Sequence, residues 1–195
     1  MRNIISLAHI SLDGFMATPA GAIDFVVFND ELADHTYPLI GSVDLAVYGR
    51  VTYDMMEGYW PTAGDAPDAG AHTKSHARWY KGVKKIVASR TLTASQDPTV
   101  RLVGRDGGDS ADPFAVLRAE KQKAGGDIMI FGSPSFTRAL AAADLVDEWR
   151  LTLQPVLLGR GLPLFDQQEK RTRLELRSSK TFATGVIAVH YVTKR

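Results

Sequence analysis

Ile128-Met-Ile-Phe-Gly-Ser-Pro-Ser-Phe-Thr-Arg-Ala-Leu140 is the stretch on which the reading of this chain turns. Its four opening apolar residues, Ile128 to Phe131, suit a buried strand. Gly132-Ser133-Pro134-Ser135 breaks the run, and apolar residues return at helical spacing at Phe136, Leu140 and Ala143. A strand that ends in a glycine turn and opens a helix presents backbone N–H groups with no intrahelical acceptor, which suits a phosphate. Most such turns in α/β proteins only connect two elements. This one gains weight because the pattern recurs: Leu45-Ala-Val-Tyr48 stops at Gly49-Arg50, and Lys85-Ile-Val-Ala88 stops at Ser89-Arg90. If the three strands are parallel, all three breaks fall on one rim, the carboxyl end where open α/β sheets take their ligands.

Upstream, Asn3 to Ile10 reads as a mostly buried strand, Asp13-Gly14 as a turn and Phe15 to Ala17 as a short extended piece. Thr18-Pro19-Ala20-Gly21 turns again into Ile23-Asp24-Phe25. Asn29 is placed to cap a helix over Asp30 to Thr36, whose early acids suit the helix dipole. Pro38 is expected to limit that helix and Gly41-Ser42 to close it. Val51 to Glu57 reads as a short helix, Tyr59 to about Gly70 as a loop, and Thr73 to Tyr80 as a helix. Val100 to Val103 forms a further strand, and Gly104 to Asp112 is loop by composition. Asp112-Pro113 is a cap and first-turn pair for a helix reaching about Ala124.

Downstream the pattern changes. Glu148 to Pro155 reads as a strand, and Leu157 to Phe165 as a glycine-bearing loop. Leu174 to Thr181 and Val186 to Val192 alternate around Ala183-Thr184-Gly185 as a hairpin does. Strands separated by helices, then strands alone, predict an α/β fold. Its mostly parallel central sheet is flanked by helices and carries an antiparallel C-terminal hairpin, all in a single domain over residues 1–195.

Of the 195 residues, 45% are hydrophobic and 23% charged, proportions that build a substantial core. The net charge of +1, with both signs interspersed, lacks a nucleic-acid footprint. Lys180 and Arg171-Thr-Arg173 therefore read as solvated faces. The absence of cysteine excludes disulfides, thiolate metal sites and thiol nucleophiles. No segment approaches the roughly 20 apolar residues of a membrane helix, and the N-terminus lacks the pattern of a secretory signal. A soluble, cytoplasmic protein is the expectation.

Arg50 and Arg90, with the hydroxyls of Thr52, Ser89, Ser133 and Ser135, suit a multiply phosphorylated ligand. Neither a P-loop nor a GxGxxG pattern is present, which disfavours an ATPase or a standard Rossmann dehydrogenase.

Ile4 to Asp13, Gly49-Arg50-Val51-Thr52-Tyr53, Ser89-Arg90-Thr91-Leu92 and Phe131-Gly132 resemble, in order, the landmarks of the dihydrofolate-reductase-like superfamily. Ser11-Leu12-Asp13-Gly14-Phe15, Asp144-Leu145-Val146-Asp147-Glu148 and Leu158-Gly159-Arg160-Gly161 further resemble the reductase domain of the bacterial bifunctional riboflavin biosynthesis protein and its stand-alone homologues. The resemblance spans nearly the whole chain. It implies a dihydrofolate-reductase-like fold, an NADPH-dependent reductase activity and a homodimer. It also implies that Gly49, Arg50 and Thr52 contact the cofactor's phosphates. Ser89 and Arg90 would hold the 2′-phosphate that distinguishes NADPH from NADH. Gly132, Ser133, Pro134 and Ser135 would cradle the pyrophosphate. The family has two adjacent glycines at that last turn; this chain has Gly132-Ser133.

The substrate side departs from the family. The acidic, proline-containing loop of the riboflavin enzymes is replaced by Tyr53 to Pro61, so the substrate class stays open among pterin-like or pyrimidine-like heterocycles and carbonyl compounds. Asp13, Asp24, Phe25 and Trp60 are the substrate-side candidates. Asp24, flanked by Ile23 and Phe25, is expected to be a desolvated carboxyl able to deliver a proton, with a turn contact as its alternative role. Asp13 reads first as a turn residue. Trp60 could wall a flat ring or simply anchor its loop. Tyr48 and Phe131 read as core. His72 and His76 share a helix face but lack a third ligand and read as surface; His9, His35 and His190 read as isolated and structural. A nucleotide-binding module without turnover, serving as sensor or interaction partner, is the alternative to an enzyme.

Overall fold

The computed structural model describes residues 1–105, 111–166 and 171–195. The first part of the chain forms β1 (Ile4–Ser11), β2 (Phe15–Ala17), α1 (Asp30–Gly41), β3 (Val43–Gly49) and α2 (Arg50–Glu57). It continues through α3 (Trp60–Ala63), α4 (Ala71–Gly82), β4 (Lys84–Ala88), β5 (Val100–Val103), α5 (Pro113–Lys121), β6 (Asp127–Phe131) and α6 (Pro134–Ala142). The remainder forms β7 (Glu148–Gln154), β8 (Leu162–Pro163), β9 (Leu174–Thr181) and β10 (Ile187–Thr193).

Eight strands form one sheet in the order β5-β4-β3-β6-β1-β7-β10-β9, and β2 and β8 make a separate small pair. From β5 to β7 all neighbours are parallel. β10 runs antiparallel to both β7 and β9. The mostly parallel sheet with its antiparallel C-terminal hairpin is thus as the sequence predicts.

Helices on both faces explain why the central strands are continuous apolar runs. On one face Ile4 and Ala8 of β1, Val47 of β3 and Ile130 of β6 pack with Leu117 of α5 and Leu140 of α6. On the other, Leu7, Ala46, Tyr48 and Phe131 pack with Ile40 of α1, Tyr53 of α2 and Tyr80 of α4. A third cluster of Val26, Leu32, Phe182, Val186 and Ala188 fastens α1 to the hairpin.

Four local expectations are corrected. Pro38 lies inside α1, which runs on to Gly41. Burial of Ile40 in the core holds this last turn despite the backbone bond that proline removes. The stretch after Tyr59 contains α3, where Pro61 sits at the helix start and its missing N–H costs nothing. α5 ends at Lys121, short of Ala124. The final strand starts at Ile187, because Val186 is taken up by the turn bond from Phe182 N–H to its carbonyl. Of the loop expected over Gly104 to Asp112, residues 106–110 lie outside the described residues.

Two of the sequence motifs are structural clamps. Asp147 accepts a bond from the Ile4 N–H at 2.7 Å, pairs with Arg195 at 2.7 Å and is contacted by Lys121. It therefore ties β1, α5 and the C-terminal residue together. Gly161 must be glycine: a Cβ there would stand 2.3 Å from the Ala17 carbonyl oxygen.

Candidate functional site

β4, β3 and β6 are adjacent and parallel, so Ser89-Arg90, Gly49-Arg50 and Gly132-Ser133 follow three neighbouring strands on one rim. Ser133 locks this rim together. Its Oγ accepts from the Gly49 N–H at 2.8 Å and donates to the Phe131 carbonyl at 2.9 Å. Its N–H donates to Thr52 Oγ1 at 3.2 Å. These three bonds hold Ser133 in a left-handed conformation with φ of 53°, directly after Gly132 at 52°. A non-glycine residue meets a cost of about 1–2 kcal/mol there. The second position of the turn thus needs the geometry that glycine takes freely, and serine reaches it by hydrogen bonding.

The consequence is that two helices start side by side at this point. α2 begins at Arg50 and α6 at Pro134, and neither has a side-chain cap or an acid in its first turn. The backbone N–H groups of the first turns, Arg50, Val51 and Thr52 on α2 and Ser135 and Phe136 on α6, have no intrahelical acceptor. Two converging helix N-termini without a carboxylate of their own make an anion seat. Arg50 at the first helical position has the wrong sign for the helix dipole, and Asp54 one turn on, at 2.8 Å, offsets only part of it. Arg90 is exposed at the end of β4. Ser89 is buried, and its Oγ accepts from the N–H groups of Thr91 at 3.2 Å and Leu92 at 2.9 Å, which turns the chain so that Arg90 stands at the rim.

The Ser133 hydroxyl is fully engaged by the scaffold, accepting from Gly49 and donating to Phe131, whereas Ser89 Oγ accepts two N–H groups and keeps its own O–H to donate at the rim. Gly49, Arg50, Thr52, Arg90, Gly132, Pro134 and Ser135 are brought to the same rim. Replacing Ser133 by alanine leaves the Gly49 N–H without its acceptor. We expect a loss of about 1–3 kcal/mol in urea unfolding, where a value below about half of that would show the bonds to be dispensable.

At the carboxyl ends of β1 and β7 the sheet turns polar. His9 Nδ1 lies 2.6 Å from Thr152 Oγ1, Gln154 Nε2 donates to the same oxygen at 3.1 Å, and Gln154 Oε1 accepts from the Val27 N–H at 3.0 Å. This row fixes the segment before α1 across the strand ends. Phe28 meets the His9 ring edge-on at 5.5 Å and is itself exposed. Burial pushes the His9 imidazole down to about 4, so it is neutral at physiological pH. Contrary to the expectation of an isolated residue, His9 belongs to a row of hydrogen bonds. Its signal is a ring-bearing polar residue in a mostly apolar strand, in register with Thr152.

The four substrate-side candidates separate. Asp13 is a clamp: it accepts from Ser11 Oγ at 2.5 Å, the Leu158 N–H at 3.1 Å and the Gly159 N–H at 2.7 Å. The Ser11 hydroxyl bond above all, with these N–H groups, holds its carboxyl below the ordinary range. The bonds join the two motifs Ser11 to Phe15 and Leu158 to Gly161. Asp24 is exposed in a turn, so the desolvation expected of it is missing. Phe25 packs partly buried against the cluster between α1 and the hairpin. Trp60 packs against the core and meets the His76 ring at 4.0 Å, an anchor rather than an open wall. Tyr48 and Phe131 are core, stacked at 5.4 Å. His76 is buried, not at the surface, while His72 pairs with Asp34 at 2.9 Å. Among the described residues no group of three or more His, Cys, Asp or Glu side chains could hold a metal ion. None of the described helices is long and apolar enough to cross a membrane.

This architecture is found in solved proteins. A protein from Shewanella sp. PV-4 provisionally assigned to riboflavin biosynthesis superposes with a TM-score of 0.71 at 25% identity, covering 99% of both chains. A pyrimidine reductase-like protein from Corynebacterium diphtheriae superposes with a TM-score of 0.71 at 21% identity, over 100% of this chain and 92% of its own. In sequence, the uncharacterized protein YyaP of Bacillus subtilis is 28% identical over 190 residues, 97% of this chain and 94% of that one. The uncharacterized protein YwjB of the same organism is 27% identical over 192 residues, 98% of each. Residues 2–188 match the description "RibD C-terminal domain". The chain belongs to the RibD C-terminal domain family.

Proposed function

We propose that the protein is an NADPH-dependent reductase that transfers hydride to a C=N or C=O bond of a small heterocyclic or carbonyl compound, a pyrimidine or pterin ring being the first choice. The observation that carries this reading is the convergence of two uncapped helix starts on Ser133 and Thr52, with Arg50 and Arg90 on the same rim. The helix starts suit a pyrophosphate, and an exposed guanidinium one strand away suits a further phosphate. The donor set fits a phosphorylated dinucleotide. When bound, NADPH supplies the hydride.

The chain's own part is positioning. The N–H groups of α2 and α6, with Thr52 and Arg50, would hold the pyrophosphate, and Arg90 the 2′-phosphate. The acceptor would lie over the ends of β1 and β7, where neutral His9, steadied by Thr152, offers a hydrogen-bonding ring rather than a charge. Asp24 is exposed in a turn, and solvent delivers the proton in this reading.

The test is NADPH oxidation, followed by absorbance, against pyrimidines, pterins and simple carbonyl compounds. Turnover with at least one acceptor, faster with NADPH than with NADH, is expected. Tight NADPH binding with no acceptor turned over would favour the alternative of a nucleotide-binding module without catalysis.

A further inference from the structure

A second basic cavity lies away from the rim. Between α1 and the β9–β10 hairpin the surface opens into a cleft of about 110 Å³. Its polar lining spans four elements and includes His35 of α1, Arg150 and Thr152 of β7, His190 of β10, and Ser178 and Lys180 of β9. The register explains the grouping. His190 stands opposite both Arg150 and Ser178, and Ala188 opposite both Thr152 and Lys180, so two cross-strand rows bring these side chains to one face. No carboxylate lines the cleft among the described residues. The neighbouring Glu148 is already engaged by Arg150 at 3.2 Å, His190 at 2.8 Å and Asn3 at 2.9 Å. Arg150 keeps a buried Nε with no hydrogen-bond partner among the described residues.

A buried guanidinium N–H without an acceptor is costly, and cations facing one another across a narrow cleft repel. The repulsion registers at His35: burial first, then the charges of Lys180 and Arg150, hold its imidazole below the ordinary value. An oxyanion would relieve both. We propose that this cleft is an anion-binding site, separate from the rim of β3, β4 and β6. It holds a phosphoryl or carboxylate group of a small molecule, with Arg150, Lys180 and His35 as donors. The site stands apart from the proposed reductase reading and would persist if that reading failed.

The cleft is tested by titration calorimetry with inorganic phosphate and with malonate on the wild-type protein and on Lys180→Gln, His35→Gln and Arg90→Ala. Imidazole signals are followed by NMR in parallel. Lys180 is exposed, so its replacement spares the fold. Saturable binding of either anion is expected, with the His35 and His190 signals moving. Binding should weaken about tenfold in Lys180→Gln and be unchanged in Arg90→Ala. The tighter of the two anions identifies the group that the cleft takes. Failure of both to bind saturably would overturn the proposal. So would binding that survives Lys180→Gln and His35→Gln unchanged and disappears in Arg90→Ala, since the anion would then sit on the rim.

Discussion

Lowering the pH from about 6.5 to about 4 is expected to remove roughly 3 kcal/mol of stability for each of His9 and His76, whose imidazoles burial pushes down to about 4. The sign follows from proton counting. Between those limits the unfolded chain takes up protons that the folded chain refuses, so the unfolded state gains as pH falls. The contribution is intact above about pH 6.5 and gone by about pH 4. His76 has a clear physical cause. Its ring is packed among Trp60 at 4.0 Å, Trp79 at 5.0 Å and Tyr37 at 5.3 Å, and neither nitrogen has a hydrogen-bond partner among the described residues. Phenylalanine fills the same space without a proton to gain. Urea unfolding at about pH 7 and about pH 5 should therefore show His76→Phe losing about 2 kcal/mol less stability than wild type. An unchanged loss would mean that His76 titrates freely.

Asp97→Ala is expected to cost about 3–5 kcal/mol, enough to threaten folding of the whole β4–β5 region. Lys85 is the reason. Its ammonium is fully buried and reaches the Tyr80 carbonyl at 2.6 Å, the Val83 carbonyl at 3.3 Å, Asp97 at 2.8 Å and Thr99 Oγ1 at 2.9 Å. It also lies 4.4 Å from the centre of the Tyr80 ring. Removing Asp97 leaves the neutral acceptors but takes away the only counter-charge among these contacts. A buried pair is weak evidence of net stabilisation, whereas a broken one is costly. The double variant Lys85→Met with Asp97→Ala should therefore be more stable than Asp97→Ala alone. Equal stability of the two would show that Lys85 escapes to solvent. Burial alone would push the Asp97 carboxyl up. The bonds from Lys85 and Thr99 outweigh it and hold the group below its ordinary value. Its contribution is thus complete above about pH 4 and lost only as pH falls further, below the window in which the histidines act.

The sheet was legible because its signals are local. The runs before Gly49, Ser89 and Gly132 are short and apolar, and each stops at a residue that cannot continue a strand comfortably. The final hairpin alternates on either side of a glycine turn. Shared direction of the strands then brings the three breaks together without any knowledge of side chains. What stayed hidden depends on partners far along the chain. Lys85 opens a short strand, and nothing beside it in sequence shows that Asp97 and Thr99 fold over its ammonium. Ser133 reads as a ligand contact until Gly49 and Thr52 claim its hydroxyl and its N–H. Lys180 reads as a solvated charge until the register sets it across from α1. Asp24 failed for a related reason: hydrophobic neighbours in sequence do not desolvate a carboxyl when a turn points it outward.

The central claim, that the rim formed by β3, β4 and β6 seats a phosphorylated dinucleotide, is tested most directly by titration calorimetry of NADPH and NADH against wild type and Arg90→Ala. A charge-assisted phosphate contact contributes roughly 1.5–3 kcal/mol. The wild-type protein should then bind NADPH at least about tenfold more tightly than NADH. Arg90→Ala should bring NADPH down to the NADH level and leave NADH nearly unchanged. Equal affinity of the wild type for the two dinucleotides, or an NADPH preference that survives in Arg90→Ala, would contradict it.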